Sequence, residues 1–164
     1  MKFNTIRVLD LKDEVFQDYK KPSMLISTIY CDWKCWNKKK HKKNICQNSQ
    51  IINNKIIEIN IEEITNRYLR NGITQAIIFA GLEPFKQFDE ILTFIKLFRE
   101  ISNDDIIIYT GYYLEEVREN VNILKQFSNI IIKFGRYICD SEKIYDDILG
   151  IYLSSKNQYA IKIS

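Results

Sequence analysis

Four short Ile-rich apolar runs recur along the chain: Met24–Tyr30, Ala76–Ala80, Ile106–Tyr109 and Ile130–Ile132. Runs this short and this apolar suit strands buried on both faces, as inside a parallel sheet covered by helices. The segments between them carry helical periodicity. Ile61, Ile64 and Tyr68 share one face of a segment ending near Asn71. Asn60 is placed to cap it, Glu63 to complete a capping box, and Gly72 to stop it. A second segment aligns Phe88, Ile91, Leu92, Ile95 and Phe98, and a third Leu114, Val117, Val121, Leu124 and Phe127. Repeated strand–helix–strand units require right-handed crossovers. The expected fold class is therefore α/β, a parallel sheet, closed or partly closed, with outer helices. Leu149–Leu153 and Tyr159–Ile163 read as two short closing strands, and Thr5–Leu11 as an edge strand. No linker or repeat divides the sequence, so a single domain over 1–164 is expected.

Composition narrows the function classes. An apolar content of 46% and aromatic content of 13% suit a packed core. No run of 18 apolar residues occurs, so no membrane partner is expected. Met1–Thr5 holds no secretory h-region, which leads to a cytoplasmic expectation. The net charge of +3 is too mild to call for nucleic acid. In a reducing compartment, four cysteines read as metal ligands or free thiols before disulfides.

Three of those cysteines, Cys31, Cys35 and Cys46, follow the first apolar run on one strand-to-helix loop. Their thiolates are soft donors of the kind that select iron–sulfur clusters or zinc. Three ligands leave one coordination position open, as reactive metal sites require. Two plainer readings compete: buried free thiols, and a structural zinc site completed by His41. The second run leads into Gly81-Leu82-Glu83-Pro84, at the strand edge where α/β folds place ligands. Lys38 to Lys43 forms a basic run with His41 inside it. It reads as a solvated loop or as a docking surface for an acidic electron donor or protein substrate. Cys139 stands apart from the other three and reads as a free thiol.

The three cysteines, with Gly81-Leu82-Glu83-Pro84 standing where a Gly-Gly-Glu-Pro would be, resemble the radical S-adenosylmethionine superfamily. Tyr109-Thr110-Gly111-Tyr112 with Leu114-Glu115-Glu116 resembles a segment of the anaerobic ribonucleoside-triphosphate reductase activating proteins. Gly135-Arg136-Tyr137-Ile138, Leu149-Gly150 and Ser154-Ser155-Lys156-Asn157-Gln158 resemble that family's closing segments. Residues 24–163 keep the family's motif order. Two positions depart from it. Ten residues, Trp36 to Ile45, separate the second and third cysteines where the family has two, an inserted loop over 36–45. Lengthening a flexible loop fivefold adds only about 1.4 kcal/mol to its closure. Leu82 replaces the family's second Gly, at a cost of about 1–2 kcal/mol if that position were left-handed.

The resemblance implies a partial (β/α) barrel of the radical S-adenosylmethionine type. It implies a [4Fe-4S] cluster on Cys31, Cys35 and Cys46, with S-adenosyl-L-methionine chelating the fourth iron. Ile45 would border the adenine. Gly81, Leu82 and Glu83 would receive the methionine amino group, Thr110 would meet the ribose, and Lys133 would pair with the ligand carboxylate. The implied activity is oxidoreductase chemistry: reductive cleavage to a 5′-deoxyadenosyl radical, which generates a glycyl radical on a large partner, an anaerobic ribonucleotide reductase. A flavodoxin- or ferredoxin-like protein would donate the electron. The alternatives are a radical enzyme acting on another protein or peptide, and a non-catalytic zinc or iron–sulfur module that binds a partner.

Overall fold

The computed structural model describes residues 4–35 and 46–164. Ile45, His41 and the Lys38–Lys43 run, and with them the whole inserted loop 36–45, lie outside the described residues. Ten strands and three helices follow one another among the described residues. They are β1 (Thr5–Val8), β2 (Asp10–Val15), β3 (Ser23–Thr28), β4 (Ile57–Asn60), α1 (Ile61–Arg70), β5 (Ala76–Gly81) and α2 (Phe88–Arg99). Then come β6 (Asp105–Tyr109), α3 (Arg118–Leu124), β7 (Ile130–Phe134), β8 (Ile144–Asp146), β9 (Ile151–Leu153) and β10 (Tyr159–Lys162).

Six strands form one mixed sheet in the order β10-β7-β6-β5-β3-β2. The four inner strands, β3, β5, β6 and β7, run parallel and carry the four apolar runs. β2 and β10 close the two edges antiparallel. β1 pairs with β4, and β8 with β9, as separate antiparallel ribbons.

The two sheet faces are packed differently. Met24, Ile26, Ile77, Phe79, Ile106, Ile108, Ile130 and Ile132 meet Ile64, Tyr68, Phe94, Phe98, Val121 and Leu124 from the three helices. Phe79, Phe94 and Phe98 form a chain of edge and stacked ring contacts within this layer. The opposite face carries Ala76, Ile78, Ile107 and Ile131, covered by Val15, Tyr19, Leu149 and Leu153, with no helix against it among the described residues. That cover leaves the C-terminal strand ends open, and the candidate site lies there.

Local chemistry explains the element ends. The Asn60 side chain accepts from Glu62 N–H at 2.8 Å and caps α1. Gly72 follows the cap residue Asn71 without a left-handed backbone. The turn there is made by Asn71 Oδ1, which accepts from Ile73 N–H at 3.0 Å. The third amphipathic segment is shorter than its periodicity suggests. Glu116 and Tyr113 cap each other around a 3₁₀ turn over Leu114–Glu116, and α3 starts only at Arg118. No helix among the described residues is long and apolar enough to cross a membrane.

Candidate metal centre

Each parallel strand delivers its loop to one edge. β3 runs into Cys31 and Cys35, β5 into Gly81-Leu82-Glu83, β6 into Thr110-Gly111-Tyr112, and β7 into Gly135-Arg136-Tyr137. With Cys46, Asn48 and Leu153, these loops line a single cavity of about 420 Å³. That volume is within the usual range for a small-molecule site, roughly 300–1,000 Å³.

Cys31, Cys35 and Cys46 all line this cavity, and each is partly accessible. Cys139 is exposed and does not line it. Trp33 N–H donates to the Cys31 sulfur at 3.2 Å, in a turn that Trp33 completes with φ 59°. Burial pushes the Cys31 thiol up to about 11, and the neighbouring Cys35 adds to the shift. Burial likewise raises Cys35, whose next contribution in that direction comes from Cys46. The Tyr137 N–H, bonded to the Cys35 sulfur, works the other way. Thiols in this state keep their protons until a metal displaces them. Among the described residues, no group of three or more His, Cys, Asp or Glu side chains is gathered closely enough to hold a single metal ion. Three soft donors around one cavity fit a multi-iron cluster, whose irons take one thiolate each, better than one ion gripped at a point.

Glu83 is 5% exposed, so it is not a solvated loop carboxylate. Its Oε1 accepts from the Thr110 hydroxyl at 2.7 Å and from Phe85 N–H at 3.1 Å, and its Oε2 from Gly111 N–H at 2.9 Å. Burial raises its pKa against the pull of these three donors. Glu83 thus joins the loop after β5 to the loop after β6. Thr110 is 1% exposed, and its hydroxyl also accepts from Tyr112 N–H at 2.9 Å. Gly111 lies in contact with the Cys35 loop: a Cβ there would stand 3.7 Å from the Cys35 sulfur.

Gly81 has φ +85°, and a Cβ on it would meet Ser27 and Thr28 atoms at 2.9 Å. The left-handed residue of the motif is therefore Gly81. Leu82 is not among the described non-glycine residues with positive φ, so its side chain carries no such strain. The Gly81 carbonyl accepts from the Asn48 side chain. Lys133, on the face of β7 away from the helices, lies in the cavity with its ammonium 5.5 Å from the Tyr109 ring centroid. Its Nζ is 3.4 Å from the Gly135 carbonyl, and burial lowers its pKa to about 8.

The closing Ser-Ser-Lys-Asn-Gln segment is a latch on the β7 loop. Ser155 Oγ accepts from Ile138 N–H at 2.8 Å, and Gln158 donates to the Gly135 carbonyl at 3.2 Å. Asn157 donates to the Arg136 carbonyl at 2.8 Å. The segment holds the loop whose Tyr137 N–H meets Cys35. Sequence reasoning missed Asn48 and Arg136 as site residues. Asn48 was marked only by its place two residues after Cys46, and Arg136 by lying in a closing segment that resembled the activating proteins.

Comparison with protein families finds a match over residues 23–159 to the family described as a 4Fe-4S single cluster domain. Comparison with curated proteins and with solved structures gives no match.

Proposed function

The chain belongs to the 4Fe-4S single cluster domain family, and from that membership we propose that it is a radical S-adenosylmethionine activase. The observation that carries this reading is one cavity shared by Cys31, Cys35, Cys46, Gly81, Glu83, Thr110 and Lys133, all at the C-terminal edge of the parallel strands. Four parallel strands with helices on one face support a partial-barrel architecture. When bound, the cluster and S-adenosylmethionine supply a one-electron cleavage of the sulfonium and a carbon radical able to abstract hydrogen.

The chain's own residues bind and orient. Cys31, Cys35 and Cys46 would hold three irons. The Leu82 carbonyl and the second lone pair of the Gly81 carbonyl, whose first accepts from Asn48, would be the acceptors for a ligand ammonium. Lys133, buried and without an ion pair among the described residues, suits a ligand carboxylate, which would raise its lowered pKa and hold it as the ammonium. Glu83 and the closing latch fix the loops around the cavity mouth. The substrate we assign is a backbone glycine of a large partner, an anaerobic ribonucleotide reductase, in the cytoplasm.

Anaerobic reconstitution with iron and sulfide, followed by reduction and assay of S-adenosylmethionine cleavage, tests this. Methionine and 5′-deoxyadenosine in equal amounts are the expected products. A reconstituted cluster with neither product would leave a non-catalytic iron–sulfur module. Cleavage without glycyl-radical formation on the reductase would redirect the substrate assignment to another protein or peptide.

A further inference from the structure

The chain just before Cys31 is anchored by a buried network that no ligand role accounts for. Gln87 ends a 3₁₀ turn over Pro84–Gln87 and stands at the N-terminal cap position of α2, yet its side chain caps nothing there. It is 4% exposed. Its Oε1 accepts from Ile29 N–H at 3.1 Å, two residues before Cys31. Its Nε2 donates to the Arg7 carbonyl and to Glu90 Oε2, both at 2.6 Å. Glu90, in the first turn of α2, accepts from Arg7 N–H at 2.8 Å and from Arg7 Nε at 2.9 Å, with one more bond from the same guanidinium. Gln87 and Glu90 thus satisfy the backbone N–H and C=O of Arg7 as a neighbouring strand would. Arg7 in turn reaches Tyr30, donating to its hydroxyl at 2.8 Å, with the guanidinium 5.3 Å from the ring centroid. The Tyr30 carbonyl accepts from Glu83 N–H at 2.5 Å. The two residues before Cys31 are therefore fixed from β1, from the loop after β5 and from the start of α2. Only an amide serves at position 87. A carboxylate there would face the Arg7 carbonyl and Glu90 with no proton to donate. An apolar side chain would leave the Ile29 N–H without its acceptor.

We propose that Gln87, braced by Arg7 and Glu90, is a positioning residue that sets the reduction potential of the cluster through the backbone of Cys31. This rests on Cys31 being a cluster ligand, as in the proposed function. The effect is passed on by Trp33, whose N–H donates to the Cys31 sulfur at 3.2 Å. Hydrogen bonds to ligand sulfurs tune the potential of an iron–sulfur cluster. A donor at the sulfur stabilises the negative charge that reduction adds. When Ile29 loses its anchor the Cys31 backbone shifts, the Trp33 bond weakens, and the cluster becomes harder to reduce.

The test is a redox titration of the reconstituted protein with dithionite, followed by electron paramagnetic resonance of the reduced cluster. Each reduction adds one electron from dithionite to the oxidised cluster, with no bond made or broken. Gln87→Leu keeps most of the side chain's bulk and removes its polar bonds. Its one-electron reduction should become about tenfold less favourable, a midpoint about 59 mV more negative. The Arg7 side chain is 42% exposed, so its replacement spares the core. Arg7→Lys keeps a charge beside Glu90 but loses the planar fork, and should move the midpoint the same way by less. Ile64→Val trims the core at α1 and is the control for general loosening, with a midpoint expected at the wild-type value. Wild-type midpoints in both Gln87→Leu and Arg7→Lys overturn the proposal while leaving the activase reading intact. So does an Ile64→Val shift as large as that of Gln87→Leu. Should Gln87→Leu fail to fold, Arg7→Lys against the control decides in the same way. A shifted midpoint in a protein that does not cleave S-adenosylmethionine upholds the proposal and removes only the activase reading. Failure of the wild type to form a cluster overturns both.

Discussion

The side-chain amide of Asn48 donates to the main-chain carbonyl of Gly81. This bond ties the loop that follows Cys46 to the end of β5, so the third cysteine and the cavity-lining Gly81 are positioned together. Removing it in Asn48→Ala loosens a partly buried tether worth about 1 kcal/mol. Iron should then be stripped by a chelator roughly fivefold faster than from the wild type, following that energy. The melting temperature should move by no more than a few degrees. An unchanged stripping rate would show that the tether does not support Cys46.

Gly81→Ala is expected to be far more damaging than its size suggests. The residue has φ +85°, and its added methyl would meet Ser27 and Thr28 at 2.9 Å. Left-handed strain costs about 1–2 kcal/mol for a residue with a Cβ, before any clash is counted. Because Thr28 leads within three residues to Cys31, thermal stability and iron content should fall together. The paired control is Leu82→Ala, which relieves no strain and should retain iron. Wild-type iron content in Gly81→Ala would show that the β3 and β5 ends are uncoupled.

The parts of the fold set by continuous apolar runs were legible in the sequence, because a strand buried on both faces leaves no alternation to misread. β5 and β6 follow Ala76–Ala80 and Ile106–Tyr109 almost residue for residue. β4 and β8 were not legible. Ile57–Asn60 and Ile144–Asp146 are largely exposed ribbons with polar residues among the apolar ones; β4 is decided by a distant partner, β1, and β8 by a short hairpin with β9, Ile144–Asp146 itself carrying no continuous apolar run. The third helix lost its first turn to the mutual capping of Tyr113 and Glu116, a contact that apolar period does not encode. At the site, the cysteines and the glycine motif announced themselves by residue type. Glu83 did not announce its burial, since its three donors come from two different loops.

Glu83→Gln replaces one acceptor oxygen with a donor. Whichever way the amide turns, it faces either Gly111 N–H or Phe85 N–H, and one buried donor loses its acceptor. That loss costs about 1–3 kcal/mol. The relief of burying a neutral group offsets part of it, since burial already raises the Glu83 pKa. The variant should keep its iron but bind S-adenosylmethionine several-fold more weakly, as the Thr110–Gly111 loop shifts. Calorimetric titration of reconstituted protein measures this, and wild-type affinity would confine Glu83 to folding alone.

Lys133 gives the apo protein a stability that rises in alkali. Its folded pKa is lowered to about 8 from the ordinary 10.5. Between those values the unfolded chain holds a proton that the folded chain has released, so stability increases with pH across the window. Lys133→Met removes this dependence. Subtracting the variant's denaturation free energies from the wild type's should give a difference that climbs from about pH 8 to 10 and is flat below pH 7. A flat difference throughout would mean that the ammonium is solvated in the cavity.

The cysteines separate by position. Cys31, Cys35 and Cys46 line the cavity, whereas Cys139 is exposed and outside it. Cys139→Ser should therefore retain about four irons per chain after anaerobic reconstitution, the content of one cubane cluster. Each of Cys31→Ser, Cys35→Ser and Cys46→Ser should lose most of the iron or hold a labile remnant, because a serine oxygen is a harder donor than the thiolate it replaces. Cys46→Ser is the most informative of the three, since the loop that joins Cys46 to Cys35 is ten residues long. Fivefold lengthening of that loop adds only about 1.4 kcal/mol to closure, while thiolate binding in zinc peptides is worth about 10 kcal/mol or more. The long loop is thus no obstacle to Cys46 acting as the third ligand. Full iron in Cys46→Ser together with loss in Cys139→Ser would transfer that role to Cys139 and remove the cavity as the site of the cluster.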